Sequence, residues 1–454
     1  MSPTTTTHVI QETRRRTGSI FAPNKPQVET VNLEEYVVPN LTISDLLKVI
    51  PPQCFERNGW HSALYLLQDV VVLTGLLYAA YNWIPLINPD NFHLPHPALY
   101  KAGRFAAWAA YGFVAGVQGI GLFYVGHECG HGAFATSNVA NDVVGFIVHS
   151  FIAVPYFSWK ISHRAHHNNT SHLYKDQPHA PYLRSEWELP AYDPENENLD
   201  GSWVSPGLQE AYMEVLELTP LGSLASVMTQ TYAWWWCMLA NTESEQNYPA
   251  VKKWFPFRDA MFTPKQRPAV MISQVGTIGW VATIAWSIMA FGVLPVFRTY
   301  LLPWGIYNLY IFLISYLNHN DPKLPHWETS EFTFVRGALS TFDRDLMGGP
   351  GTFAKITHWF AATMSHSFCE VHVVHHICSK IPHYHSHEAK KHVYALLKEH
   401  GINLQGNPAT WTEAIRVATE CKFVEDEGGV RFYKNAKGQA ALVPVFSSNN
   451  GKAD

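Results

Sequence analysis

Histidine is the residue type that stands out in this sequence. Twenty of its 24 histidines fall within residues 127–179 and 319–400. On a helix, residues at i, i+3 and i+4 share a face, so a short cluster can direct two or three imidazoles at one point. Imidazole suits iron and zinc alike, so such clusters predict a metal site. Three clusters have this spacing, and their candidate ligands are His127 and His131; His163, His166 and His167; and His372, His375 and His376.

A ninth candidate is His319, which directly follows a long apolar stretch. Eight or nine neutral imidazoles exceed what one ion can use, so two ions with four or five ligands each are the natural count. Cys129, inside the first cluster, is interpreted as a small spacer. The remaining nearby histidines are expected to support the ligands or lie on the surface, namely His172, His179, His383, His385 and His387.

The first cluster leaves an alternative open, because His127-Glu128-Cys129-Gly130-His131 matches the H-E-x-x-H helix of zinc proteases. In such a site Glu128 would be the general base. That interpretation leaves the second and third clusters without a purpose. A divalent-metal transporter is another alternative, but its ionisable ligands should lie within the membrane spans. Here the clusters follow the apolar stretches instead.

Composition indicates a membrane protein. Charged residues are 15% of the chain, against about 25% in a typical soluble domain. The 16 Trp and 21 Tyr are residue types favoured at bilayer–water interfaces. With a net charge of −5, the chain lacks the excess of basic residues that is typical of nucleic-acid-binding proteins. The six cysteines are scattered without a C-x-x-C pair, which is typical of reduced thiols in a cytosol-facing protein.

The elements that must position the histidines are apolar stretches. A spanning helix needs about 20 apolar residues. The first, second, fifth and sixth stretches meet that length, whereas the third is short and the fourth has an interfacial, Trp-rich composition. The six stretches cover approximately residues 62–85, 105–125, 143–159, 221–240, 269–297 and 299–318.

If all the histidine clusters form one site, they must lie on the same face of the membrane, and this requirement selects the membrane topology. Basic residues in the N-terminal tail favour a cytosolic N-terminus. If the third stretch crossed the membrane, His127 and His163 would lie on opposite faces. The sequence therefore predicts an all-α integral membrane protein with four transmembrane helices in two hairpins, the second turning through Pro295 to Arg298. Interfacial helices and a cytosolic histidine-rich cap complete this fold. Residues 1–40 and 436–454 are predicted to be disordered tails around a membrane domain at 41–435.

The chain resembles the membrane fatty acyl desaturase superfamily, and within it the acyl-lipid Δ12 (oleate) desaturases. The three histidine clusters correspond to the histidine boxes of that superfamily. The resemblance covers approximately residues 35–435. The matching segments are Gly126–His131, Val154–His163, Asp321–His326, Val335–Ala338, Asp343–Asp345 and Ile381–His385.

This resemblance implies that the nine histidines hold two iron ions, which use O₂ to introduce a cis double bond into an acyl chain. The expected substrate is an oleoyl chain on a phospholipid, and the product a linoleoyl chain. The sequence has no flavin or nicotinamide fingerprint and no His-Pro-Gly-Gly haem motif. A separate cytochrome b5 with its NADH-dependent reductase is therefore the expected electron source. The resemblance places the protein in the endoplasmic reticulum membrane, multi-pass, with its site facing the cytosol.

The resemblance leaves the regioselectivity open. The same boxes occur in ω3 desaturases, acetylenases and hydroxylases of the superfamily. This chain also departs from the common pattern beside its boxes, at Asn318 and Asn320 and at Val371. None of these departures removes a candidate ligand.

Overall fold

The computed structural model describes residues 31–446, except for 218, 220, 224, 227 and 230–261. These residues are largely helical, and four helices are long and apolar enough to cross a membrane. They correspond to the first, second, fifth and sixth apolar stretches, so the prediction of four such helices is confirmed. They are α2 (Gly59–Trp83, extended by a 3₁₀ turn to Leu86), α3 (Pro97–His131), α7 (Arg267–Phe291) and the segment Val293–His319.

The segment Val293–His319 consists of α8 (Val293–Val296), a π-helical turn (Phe297–Leu301) and α9 (Leu302–His319). The predicted turn at Pro295 to Arg298 is wrong, because these residues are helical. The helix breaks earlier, at Gly292, whose φ of 87° is readily adopted only by glycine. Proline is tolerated in the first turn of a helix, since its missing N–H would have no intrahelical partner there.

The third apolar stretch forms two helices with a sharp bend between them. These are α4 (Asn138–Phe151) and α5 (Tyr156–Asn168), and their axes differ by 106°. Fourteen residues of helix extend about 21 Å, less than the roughly 30 Å of a hydrocarbon core. Most of the fourth stretch, 221–240, lies outside the described residues.

Close packing of α3 on α9 brings two of the predicted ligand-bearing helices together. A Cβ at Gly112 would lie 2.5 Å from Leu302, and one at Gly116 would lie 2.7 Å from Ile306. Small residues four apart allow helix backbones to approach closely within a membrane. The two helices therefore form a rigid pair, and each ends in a histidine of the predicted site.

The remaining helices are shorter. Within the described residues they include α1 (Ile43–Lys48), α6 (Pro206–Leu216), α10 (Phe334–Ala338), α11 (Thr352–Met364), α12 (His372–Ile377), α13 (His383–Glu399) and α14 (Trp411–Glu420). Val373 and Val374 of α12 pack in an apolar cluster with Leu46 of α1 and Val393 of α13. This packing leaves the histidines of α12 to face the predicted site.

The all-α prediction is wrong in one respect, because four short strands form two small sheets in the part of the chain that the structure describes. β1 (Glu34–Val37) pairs in parallel with β4 (Leu442–Val445), and β2 (His326–Trp327) pairs antiparallel with β3 (Val430–Arg431). β1 and β4 belong to segments predicted to be disordered tails. Each satisfies the other's backbone hydrogen bonds, a long-range pairing that neither short segment reveals alone.

Candidate metal centre

Each histidine cluster lies on a helix, as its spacing predicts. His127 and His131 occupy the last two turns of α3, and Gly132 ends that helix in the left-handed conformation with a φ of 72°. The second cluster lies in the C-terminal half of α5, and the third covers most of α12. His319 is the last residue of α9. The histidine-bearing turns of four helices thus converge at one place.

Five imidazoles form the first group: His127, His131, His163, His167 and His375. One ring nitrogen from each lies within 4.8 Å of the others. His163 Nε2 lies 2.8 Å from His127 Nε2 and 3.1 Å from His167 Nε2. The 3.1 Å separation of His375 Nε2 from His167 Nε2 adds the third cluster. All three clusters therefore contribute to one group.

A second group consists of His166, His319 and His376, again within 4.8 Å of one another. His372 adjoins it, with its Nε2 2.8 Å from that of His319 and 3.1 Å from that of His376. The rings of His167 and His376 stack 4.1 Å apart across the boundary between the groups. All nine predicted residues are therefore brought together, in two adjacent groups.

Burial keeps the imidazoles of the third cluster neutral. It lowers the pKa of His375 to about 3, and it holds the pKa of His372 and His376 well below the usual range; neighbouring histidines act in the same direction. A neutral imidazole is the form that binds a metal. His131 Nε2 is buried and has no hydrogen-bond partner in the described part of the chain. Its lone pair is available to a metal ion, so the donor set fits two ions bound by nitrogen.

Two side chains orient imidazoles of the second group through their Nδ1 atoms. His166 Nδ1 donates to Asp176 Oδ1 at 2.6 Å. His376 Nδ1 lies 3.1 Å from Thr170 Oγ1. Burial opposes ionisation of Asp176, but His166 and the Ser171 N–H outweigh it and lower the pKa of this carboxyl group. Such partners fix the tautomer that leaves the lone pair of Nε2 free for a metal ion.

Sequence reasoning missed Asp176 and Thr170. Thr170 follows its cluster by three residues, and its hydroxyl contacts a histidine 206 residues away in the chain. Asp176 lies in an irregular segment after α5, where no periodicity indicates a direction. The sequence shows only that an acidic residue lies near the clustered histidines. It does not indicate which imidazole ring the carboxylate contacts.

Packing around the first cluster depends on two glycines of α3. A Cβ at Gly126 would lie 2.3 Å from His149 Cδ2, and one at Gly130 would lie 2.5 Å from Trp159. Trp159 in turn stacks on His163, with ring centroids 4.5 Å apart. The glycines beside the first cluster therefore allow an aromatic side chain to hold a ring of the second.

Glu128 is engaged by a residue from α13. Its carboxylate accepts from the backbone N–H of His383 at 2.5 Å and lies 2.6 Å from His383 Nδ1. Both side chains are buried. A protease base must be free to activate water, whereas this carboxylate is tied to another helix. Of the two roles expected for His383, support of the site or a place on the surface, its buried contact with Glu128 fits the first.

A second buried acid lies within α2. Asp69 accepts from Gln118 Nε2 of α3 at 2.7 Å and pairs with His366 Nε2 at 3.0 Å. His366 and Ser367 have φ values of 53° and 59° in the turn before the third cluster. The polar contacts of Asp69 therefore anchor this turn to two of the candidate spanning helices.

Comparison with known proteins agrees with this geometry. A sequence model of fatty acid desaturases matches residues 105–407. The chain is 33% identical over 427 residues to the Delta(12) fatty acid desaturase of Mortierella alpina, covering 93% of this chain and 97% of that protein. It is 32% identical over 421 residues to an omega-6 fatty acid desaturase of the endoplasmic reticulum from Brassica juncea, with coverage of 91% and 97%. It is 34% identical over 406 residues to an oleoyl-12-hydroxylase of Ricinus communis, with coverage of 87% and 91%.

Proposed function

The chain belongs to the fatty acid desaturase family, and we propose that it is a di-iron, O₂-dependent enzyme that converts a phospholipid-bound oleoyl chain into a linoleoyl chain. The observation that carries the proposal is the convergence of nine histidines in two adjacent groups. Similarity to several proteins named for action at carbon 12 supports the choice of bond. Desaturation of one bond consumes O₂, two electrons and two protons and releases two water molecules.

The reacting methylenes carry no acidic hydrogen, so no side chain of this protein could remove one as a base. Two iron ions held by the nine histidines would activate O₂, the oxidant, for that step. The protein's own contribution is to hold the ligands, with Asp176 and Thr170 fixing two of the rings. Phe123, Trp159 and Phe368 pack around His127 and shield it from water.

We propose four spanning helices in two hairpins, with both termini and the cap in the cytosol and the endoplasmic reticulum as the membrane. Support comes from α3 and α9, which end in His131 and His319 and thus run towards the same face. Glycosylation sites introduced at 175, 200 and 400 should remain unmodified, while one near Asn91 should be modified. A modified site at 200 would contradict this topology.

Electrons are proposed to come from a separate cytochrome b5 and its NADH-dependent reductase. Membranes from a host that lacks cytochrome b5 should show little conversion, and adding the purified cytochrome should restore it. Full conversion without any cytochrome b5 would exclude this donor and leave the desaturase proposal standing.

The direct test is expression in a host that makes oleate but no linoleate, followed by gas chromatography and mass spectrometry of its lipids. We expect an 18:2 product with double bonds at carbons 9 and 12, and no product from His376→Gln. Purified protein should contain two iron ions per chain. One zinc per chain, with activity surviving changes in the third cluster, would instead favour the protease alternative. Conversion of added linoleate but not oleate would reject Δ12 and favour an ω3 desaturase or acetylenase.

Hydroxylation is a second candidate, because the match to the oleoyl-12-hydroxylase is as close as the matches to the desaturases. Both reactions begin by removing a hydrogen from the same region of the chain. The same lipid analysis separates them, since a hydroxylase gives an 18:1 acid with a hydroxyl group at carbon 12.

A further inference from the structure

A tenth histidine, His179, lies against the smaller of the two histidine groups. Its ring centroid is 4.3 Å from that of His319 and 5.2 Å from that of His166. These separations are similar to the 4.8 Å between His319 and His376, which are both predicted ligands. Distance alone would therefore allow His179 to be a further ligand, so its role depends on the orientation of its ring.

The ring of His179 is stacked on that of His319, with an angle of 18° between their planes. Rings within the smaller group meet at steep angles instead, since His319 makes 76° with His166 and 74° with His376. The lone pair of an imidazole nitrogen lies in the plane of its ring, so rings stacked face to face direct their lone pairs along parallel lines and do not converge on one ion. The same parallel stacking, at 7°, occurs between His167 and His376, which belong to different groups. His179 therefore supports a ligand ring from its face and is not placed to bind the same ion.

The position of His179 is fixed from two sides. Its backbone N–H donates to the carbonyl oxygen of Asp176 at 3.3 Å, within a 3₁₀ turn that follows α5. On the other side, His179 Nε2 lies 3.4 Å from Oγ of Ser315, which is about one helical turn before His319 on α9. The turn after α5 thus contacts two rings of the smaller group, His166 through the Asp176 carboxylate and His319 through the His179 ring.

Burial indicates what the contact with His319 does. His166 and His319 are 3% and 4% exposed, whereas His179 is only half-buried. The ring of His179 therefore lies on the more accessible side of the smaller group and covers His319. The residues around a metal site control the access of solvent to it.

We propose that His179 is a positioning residue, whose ring holds His319 by stacking and closes the smaller group to solvent. The proposal rests on the two-iron site proposed above. Stacking needs a flat aromatic ring and does not need the nitrogen atoms of histidine, because ring faces attract through dispersion and apolar contact. Phenylalanine should therefore replace histidine at this position, and alanine should not.

Extraction of iron from purified protein by a hydrophilic chelator tests this proposal without a measurement of activity. In the wild-type protein the iron of the smaller group should leave in the slower phase, because all three of its rings are buried. In His179→Ala this iron should leave about tenfold faster and bind about tenfold more weakly, the lower end of the effects typical for residues that support metal ligands. In His179→Phe both values should stay at those of wild type, since the stacked ring is kept.

Two further variants keep the test decisive if His179→Ala folds poorly. His179→Gln keeps a polar side chain beside Ser315 and lacks the ring, so it should lose iron as fast as His179→Ala does. Tyr174→Ala is the matched control, because Tyr174 is an exposed aromatic residue of the same segment whose ring lies against His172. Its iron extraction should equal that of wild type.

Three results would overturn the proposal. The first is wild-type extraction from both His179→Ala and His179→Gln, which would show that the stacked ring does not hold the smaller group. The second is the loss of one iron per chain in His179→Phe, which would make His179 a ligand. The third is an equal acceleration of both phases in His179→Gln, which would indicate a general effect on the fold. A wild-type protein that binds no iron would instead reject the proposed function.

Discussion

The two histidine groups are built differently. In the five-membered group, His131 and His163 are only half-buried, whereas all three members of the other group are buried. The smaller group has outer partners, since Asp176 and Thr170 contact its rings at Nδ1. In the larger group, His127 Nδ1 has no hydrogen-bond partner within the described residues. Hydrogen bonds therefore orient His166 and His376 of the smaller group, whereas His127 of the larger group is held by the rings packed around it.

This difference predicts that the two groups respond differently to mutation and to metal removal. Outer hydrogen bonds raise ligand basicity and fix ring orientation. The smaller group should depend on them, because it has fewer imidazoles to compensate for one misplaced ring. The larger group should be sensitive to solvent instead, since two of its rings are partly accessible.

The largest effect is expected from removing one imidazole in either group. His163→Gln and His376→Gln should both abolish desaturation, since the reaction needs both ions. Each variant should retain iron in the untouched group, so that iron falls from two to one per chain. Lipid analysis and iron determination on purified protein measure the two outcomes. The exposed His392 provides the control, and His392→Gln should match wild type. Substantial activity in either ligand variant would refute a two-iron site built from these residues.

Asp176→Asn tests the outer partner of the smaller group. Loss of the carboxylate beside His166 should weaken iron binding there by about 10- to 100-fold, the range typical for such partners. Titration with a competing chelator measures this as selective loss of one iron per chain. The exposed Asp200 offers a matched change of charge, and Asp200→Asn should bind iron normally. Equal loss from both groups would mean that Asp176 stabilises the fold in general.

Exposure predicts the order in which iron is removed. A hydrophilic chelator added to the wild-type protein should extract iron in two phases of equal amplitude, because His131 and His163 are more accessible than any ring of the smaller group. The faster phase should vanish in His163→Gln, which lacks the iron of the larger group. A single phase that removes both ions would show that the difference in burial does not control release.

The parts of this arrangement that sequence predicts are local. Periods of three and four residues place His127 with His131 and His372 with His376, and apolar length indicates α2, α3, α7 and α9. The division into groups is not local, because it depends on how α5 and α12 cross the ends of α3 and α9. His167 and His376 stack although their clusters are about 200 residues apart. The pairing of β1 with β4 escaped prediction for the same reason. The contact of Asp176 with His166 escaped it because Asp176 lies in an irregular segment, where no periodicity indicates a direction.

The smallest effect should come from Thr170, whose hydroxyl group connects two parts of the smaller group. Its Oγ1 donates to the His166 carbonyl oxygen at 3.0 Å, so its lone pairs are free to accept from His376 Nδ1. Thr170→Val keeps the shape and removes both bonds. A neutral hydrogen bond contributes about 1 kcal/mol, so the affinity of this group for iron should fall about fivefold.

Thr170→Ser separates the effect of the hydrogen bond on iron binding from the effect of side-chain packing. Serine keeps the hydroxyl group and loses only a methyl group from this buried position, so iron affinity should recover in it. Chelator titration of both variants beside Asp176→Asn then ranks the outer partners of the smaller group. If valine weakens iron binding no more than serine does, the ring of His376 is oriented by packing, as in the larger group. The contrast between the two groups would then rest on Asp176 and His166 alone.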